Sequence, residues 1–72
     1  MGPGTERNRI IRGLQGLARS EAGLDIRALV SAGPWLRLRI GDWRVLFRST
    51  EDGVWVERIV HRRDLERAVE TL

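Results

Sequence analysis

Residues 35–64, WLRLRIGDWRVLFRSTEDGVWVERIVHRRD, constrain the fold more than any other part of the chain, because apolar and charged side chains alternate there around a Gly-Asp pair. Strand side chains alternate faces with period two, and Gly41-Asp42 between two alternating runs is a two-residue hairpin signal, with glycine where a type II′ turn requires it. Such a turn fixes the register. Ile40 pairs with Trp43, Arg39 with Arg44, Leu38 with Val45, Arg37 with Leu46, Leu36 with Phe47 and Trp35 with Arg48. One face is then wholly apolar and must turn inward: Leu36, Leu38, Ile40, Trp43, Val45 and Phe47. The other carries Trp35, Arg37, Arg39, Arg44, Leu46 and Arg48.

Like charges directly opposite each other, as Arg39 and Arg44 are, cost a sheet up to about 1 kcal/mol, so this face implies an anionic partner. Arginine suits that partner chemically. Its planar fork gives phosphate or carboxylate two parallel hydrogen bonds and stays charged at any relevant pH. A solvated outer face laced to acidic side chains elsewhere is the competing account. Four arginines gathered around a tryptophan tip the balance toward phosphate.

A chain of 72 residues forms one small domain whose core gives marginal stability, so a partner or an oligomer is expected. The 42% hydrophobic content with three Trp marks it as folded. No run approaches the ~18 apolar residues of a membrane span, and no secretory signal is visible, so a cytoplasmic location is expected. There is no cysteine and one histidine, which leaves no expected metal site and no expected cofactor. All thirteen basic residues are Arg, so no lysine can serve as a Schiff-base nucleophile. The net charge of +3 and pI near 11.3 fit nucleic acid or an acidic protein segment equally well.

Residues 1–4 read as a disordered start or a cloning remnant, and residues 5–72 as a single domain. From Thr5, a suitable N-cap, Ile10, Ile11, Leu14, Leu17 and Ala18 recur at helical spacing, predicting a helix to about residue 21. Gly13 and Gly16 each cost up to about 1 kcal/mol there unless they let another element approach closely. Residues 24–30 fit an extended segment or a short helical turn, and 31–34 a loop. Loop length decides which face the third strand shows: a five-residue loop reverses the faces, and a four-residue loop over 50–53, favoured because it buries three valines, pairs Arg48 with Trp55 and Leu46 with Glu57. It buries Val54, Val56 and Val60, leaves Arg58 at the core's edge, and sets Trp55, Glu57 and His61 beside the arginines. Leu65, Ala68, Val69 and Leu72 form a last helical stripe behind Asp64 as N-cap. The expected fold is α+β: an N-terminal helix, a three-stranded antiparallel meander and a C-terminal helix.

The run LRLRIGDWRVLF, followed by a turn, a hydrophobic strand and VHRRDLERAV, resembles the C-terminal half of the RelE/ParE family of bacterial toxins. A GDYRV-type hairpin and a GHRRDVY-type ending recur in that family. The preceding helix and Asp25-Ile26-Arg27-Ala28-Leu29 resemble the family's second helix and its approach to the sheet, so the likeness covers nearly all of residues 5–70. It implies a RelE-like fold shortened at the N-terminus, without the family's first strand and helix. It also implies the toxin component of a type II toxin–antitoxin system, held inactive by a cognate antitoxin. In the RelE branch that toxin is a metal-independent endoribonuclease cutting mRNA on the ribosome and blocking translation. The substrate's 2′-hydroxyl is the nucleophile there, and basic side chains stabilise the phosphorane. By position, Arg44 matches the arginine of the GDYRV-type strand and Arg62 the first arginine of the HRRD-type ending. Arg37 and Arg39 stand where the family often has basic residues.

The chain departs from the pattern: it has no Tyr, Glu66 stands where the ending has its tyrosine, and Val60 replaces the glycine before His61. A missing edge strand would leave sheet hydrogen-bonding groups open to an antitoxin segment or to a second copy. The alternative is a ParE-like or catalytically inactive relative that binds gyrase, an antitoxin or another acidic peptide.

Cleavage through the 2′-hydroxyl needs proton transfer and positive charge around the phosphorane. The expected catalytic set is Arg37, Arg44, His61 and Arg62, with Glu66 a distant base. Histidine is the side chain that exchanges protons near neutral pH, although a lone one at a strand end more commonly bonds to backbone. Arg39, Arg48, Arg63 and Trp35 are the expected nucleic-acid contacts, and an exposed Trp55 would join them.

Overall fold

The computed structural model describes residues 3–30 and 32–72. Its elements are α1 (Pro3–Ala18), β1 (Ile26–Ala28), β2 (Leu36–Ile40), β3 (Trp43–Thr50), β4 (Gly53–His61), a 3₁₀ turn (Arg62–Asp64) and α2 (Leu65–Glu70). The four strands form one antiparallel sheet in the order β1-β2-β3-β4. The class and the helix, meander, helix order are those expected, with one strand more than the three predicted.

The Gly41-Asp42 turn sets the β2–β3 register as the alternation requires. Ile40 faces Trp43, Arg39 faces Arg44, Leu38 faces Val45, Arg37 faces Leu46 and Leu36 faces Phe47. Gly41 has φ of 59°, the left-handed value that a type II′ turn demands at its first loop position. The inward face meets α1. Leu17 of the helix is buried with Leu38, Val45 and Phe47, while Leu14, Leu24, Leu36, Ile40 and Val54 close the margin. Gly13 earns its place in α1 by contact, because a Cβ there would overlap Ile40 Cδ1.

Helix α1 begins at Pro3 rather than at Thr5, with Pro3 and Gly4 in its first turn. Proline tolerates that position because the first-turn N–H groups have no intrahelical partner. Met1 and Gly2 of the expected disordered start lie outside the described residues. The helix stops at Ala18, short of residue 21, where Ser20 takes φ of 55° and Gly23 φ of 84° to reverse the chain. Ser31 of the expected 31–34 loop also lies outside the described residues.

Within the ambiguous stretch at 24–30, residues 26–28 are a strand. Ile26 pairs with Leu38, Arg27 with Arg37 and Ala28 with Leu36, and the Asp25 carbonyl accepts from Arg39 N–H at 3.0 Å. β1 therefore satisfies the β2 edge that a three-stranded sheet would have left open. The free edges are the short β1 and the outer side of β4.

The β3–β4 connection corrects the loop reading twice. Thr50 pairs with Gly53 around a two-residue turn, Glu51-Asp52, instead of both belonging to a four-residue loop. Arg48 still meets Trp55 and Phe47 meets Val56, but Leu46 then pairs with Arg58 rather than Glu57. Glu57 is the extra residue of a β-bulge, and every side chain beyond it changes face. Arg58 and Val60 stand on the arginine face, whereas Ile59 and His61 turn to the α1 face. Val56 is 40% exposed rather than buried. α2 lies over the part of the arginine face around β4: Arg58 Nη1 donates to Thr71 Oγ1 at 2.6 Å, and Leu46 and Ala68 are buried there. Asp64 occupies the α2 N-cap position without a side-chain capping bond.

Candidate nucleic-acid interface

Arg44 is the centre of the cationic surface. Half-buried on β3, it donates from Nη1 to the Gly41 carbonyl at 2.8 Å and to the Trp43 carbonyl at 3.0 Å, which holds its guanidinium at the hairpin tip. Partial burial lowers its pKa from the usual arginine value, and the positive charges of Arg39, Arg37 and Arg62 lower it further, with Asp42 opposing. Arginine remains protonated regardless. Three further guanidinium groups thus act on the first.

Arg62 reaches this cluster from the far end of β4. Its N–H donates to the Asp42 carbonyl at 2.7 Å, and its Nε lies 3.6 Å from Asp42 Oδ1. Both side chains of that pair are well exposed, so solvent screening leaves it weak and Arg62 able to exchange Asp42 for another anion. Arg39, opposite Arg44, is exposed. Arg63 is exposed one residue beyond Arg62.

Arg37 is different. Its Nη1 donates to both the carbonyl and Oδ1 of Asp25 at 3.1 Å, and its side chain is only 15% exposed. It shares the cluster's field but commits Nη1 to Asp25, the residue just before β1. Trp35 and Arg48 lie farther along the same face, with the Arg48 guanidinium 5.8 Å from the Trp35 ring centroid. Arg27 and Arg58 were not among the expected site residues. Arg27 stands beside Arg37 once β1 is a strand, and Arg58 joins the face only because of the bulge.

His61 is not beside the arginines, contrary to expectation. The bulge turns it to the α1 face, where its ring meets Trp43 edge-on with centroids 5.5 Å apart and planes at 78°. Its Nδ1 accepts the Arg63 backbone N–H at 3.3 Å and so caps the 3₁₀ turn, the commoner fate of a lone strand-end histidine. Glu66 is exposed in the first turn of α2. Among the described residues no group of three or more His, Asp or Glu side chains forms a metal-binding set, and no helix is long and apolar enough to cross a membrane. What the surface offers chemically is multivalent binding of an anion by planar, permanently charged donors.

No protein-family model and no curated protein matches the chain. Among solved structures it is similar to a chain of the RelB–RelE antitoxin–toxin complex from Methanococcus jannaschii, with a TM-score of 0.72 and 23% identity. The match covers 93% of this chain and 82% of that one. Likeness at this identity establishes a shared α+β fold, one that occurs in an antitoxin–toxin complex.

Proposed function

We propose that the chain is the toxin component of a type II toxin–antitoxin pair, acting in the cytoplasm, and that Arg39, Arg44 and Arg62 grip the phosphate backbone of mRNA on the ribosome. The observation that carries this reading is the repulsion at Arg44. Arg39 stands directly opposite Arg44 across the β2–β3 hairpin, and like charges so placed disfavour the sheet until a polyanion binds them. The hairpin and HRRD-type motifs, and a fold shared with a chain of an antitoxin–toxin complex, support the same reading. The partner is a cognate antitoxin. The outer edge of β4, where Val56 and Ile59 are each 40% exposed, offers it a surface.

The proposed reaction is metal-independent. The 2′-hydroxyl attacks the adjacent phosphorus as its proton passes to solvent water, and the bond to the 5′-oxygen breaks as that oxygen takes up a proton from solvent. The arginines stabilise the charge that builds on the phosphorane. A second reading, binding without cleavage, is favoured by one observation: His61 points away from the cluster and is held as a cap. Expression of wild type, Arg44→Ala and Arg62→Ala, with mapping of mRNA 5′ ends, separates the two. New ends that vanish in both variants are expected. Growth arrest with intact mRNA selects the binding-only reading, and unchanged growth with unchanged transcripts under wild type sinks the toxin reading.

A further inference from the structure

β3, β4 and the residue just before β2 bring Arg48, Trp55 and Trp35 into one row on the arginine face. Arg48 stands directly opposite Trp55, and its guanidinium lies over the Trp35 ring. Trp55 is 53% exposed, an unusual state for so large an apolar side chain in a small domain. It is nevertheless fixed in orientation, because its Nε1–H donates to Glu57 Oε2 at 2.8 Å from the bulge. A flat ring already held in place loses little conformational entropy when another flat group stacks on it. The row is four residues along β3 from Arg44, roughly 13 Å at ~3.3 Å per residue, so one strand of nucleic acid can touch both.

We propose that Trp35, Arg48 and Trp55 form a base-stacking platform for single-stranded RNA, on the same face as the phosphate grip at Arg39, Arg44 and Arg62 and separated from it along β3 by the buried Leu46, over which α2 packs. This rests on the RNA reading given under the proposed function and adds to it the part of the ligand that the phosphate contacts ignore. Bases suit the row better than a protein segment does. The exposed Trp55 indole and the Arg48 guanidinium, itself seated over the half-buried Trp35 ring, present stacking surfaces, every base has a π-face, and the arginines of this face follow a phosphate backbone, with Glu57 on the Trp55 Nε1–H as the acidic exception.

Fluorescence anisotropy tests it, with a labelled uridine oligonucleotide of about eight nucleotides and an abasic strand of the same length. For wild type, the abasic strand is expected to bind between about fivefold and a hundredfold more weakly. Trp55→Ala brings the uridine strand to the abasic level and leaves the abasic strand unchanged, Trp55→Phe keeps most of the difference, and Arg39→Gln weakens both strands alike. Equal wild-type affinity for the two strands overturns the platform while leaving the phosphate grip standing, as does an equal loss on both strands in Trp55→Ala. Binding of neither strand by wild type overturns the RNA reading and the platform with it.

Discussion

Replacing Arg39 by glutamine is expected to make the protein more stable and a poorer RNA binder. Arg39 is exposed, stands directly opposite Arg44 in the hairpin, and its charge helps to depress the Arg44 pKa. Directly opposed like charges cost a sheet ~0.2–1 kcal/mol, and exposure of one partner favours the middle of that range, about 0.5 kcal/mol. At ~2.1 cal/mol/K per residue, a domain of this length unfolds with an entropy of about 150 cal/mol/K, so the substitution raises Tm by roughly 3 °C. Differential scanning fluorimetry at low salt reads that shift. In about 1 M salt, where the Debye length falls to ~3 Å, the gap between variant and wild type closes. In parallel, the slope of log affinity against log salt for single-stranded RNA shrinks by ~0.7, the share of one phosphate contact. A lower Tm, a salt-independent gain or an unchanged salt slope would refute the claim that this cluster holds uncompensated charge for a polyanion.

Three further outcomes follow from particular contacts. Gly13→Ala puts a Cβ into Ile40 Cδ1, and an overpacking cost of ~1–3 kcal/mol against a ~1 kcal/mol gain in helix propensity leaves an expected net loss of about 0–2 kcal/mol in urea unfolding. Asp25→Asn removes the carboxylate from Arg37 while keeping the backbone acceptor; it should raise RNA affinity severalfold at low salt by freeing a guanidinium, and a loss of affinity counts against that picture. His61→Ala should leave RNA affinity within about twofold of wild type, since the ring faces Trp43, and cost roughly 0.5–2 kcal/mol through the lost cap. An affinity loss matching that of Arg44→Ala would place His61 in the interface after all.

Local sequence decided the β2–β3 hairpin, because a glycine-led two-residue turn admits one register and one register assigns every side chain to a face. The same alternation is why Arg39, Arg44, Arg48 and Trp35 were legible as a surface, and why Leu38, Val45 and Phe47 were legible as core. The tertiary structure decided what periodicity leaves open. Residues 26–28 become a strand only because β2 offers unsatisfied backbone groups beside them, and Arg37 is drawn into that junction by Asp25. Glu57 bulges out at the one point where adjacent charged residues, Glu57-Arg58, interrupt the alternation of the run, and that one extra residue exchanges the faces of Arg58, Ile59, Val60 and His61. Leu46, which alternation assigns to the arginine face, is buried because α2 packs back over it. Alternation and turn chemistry act between neighbours in the chain and can be read from it, whereas edge pairing, a bulge and helix docking are settled by groups that meet only after the chain has folded.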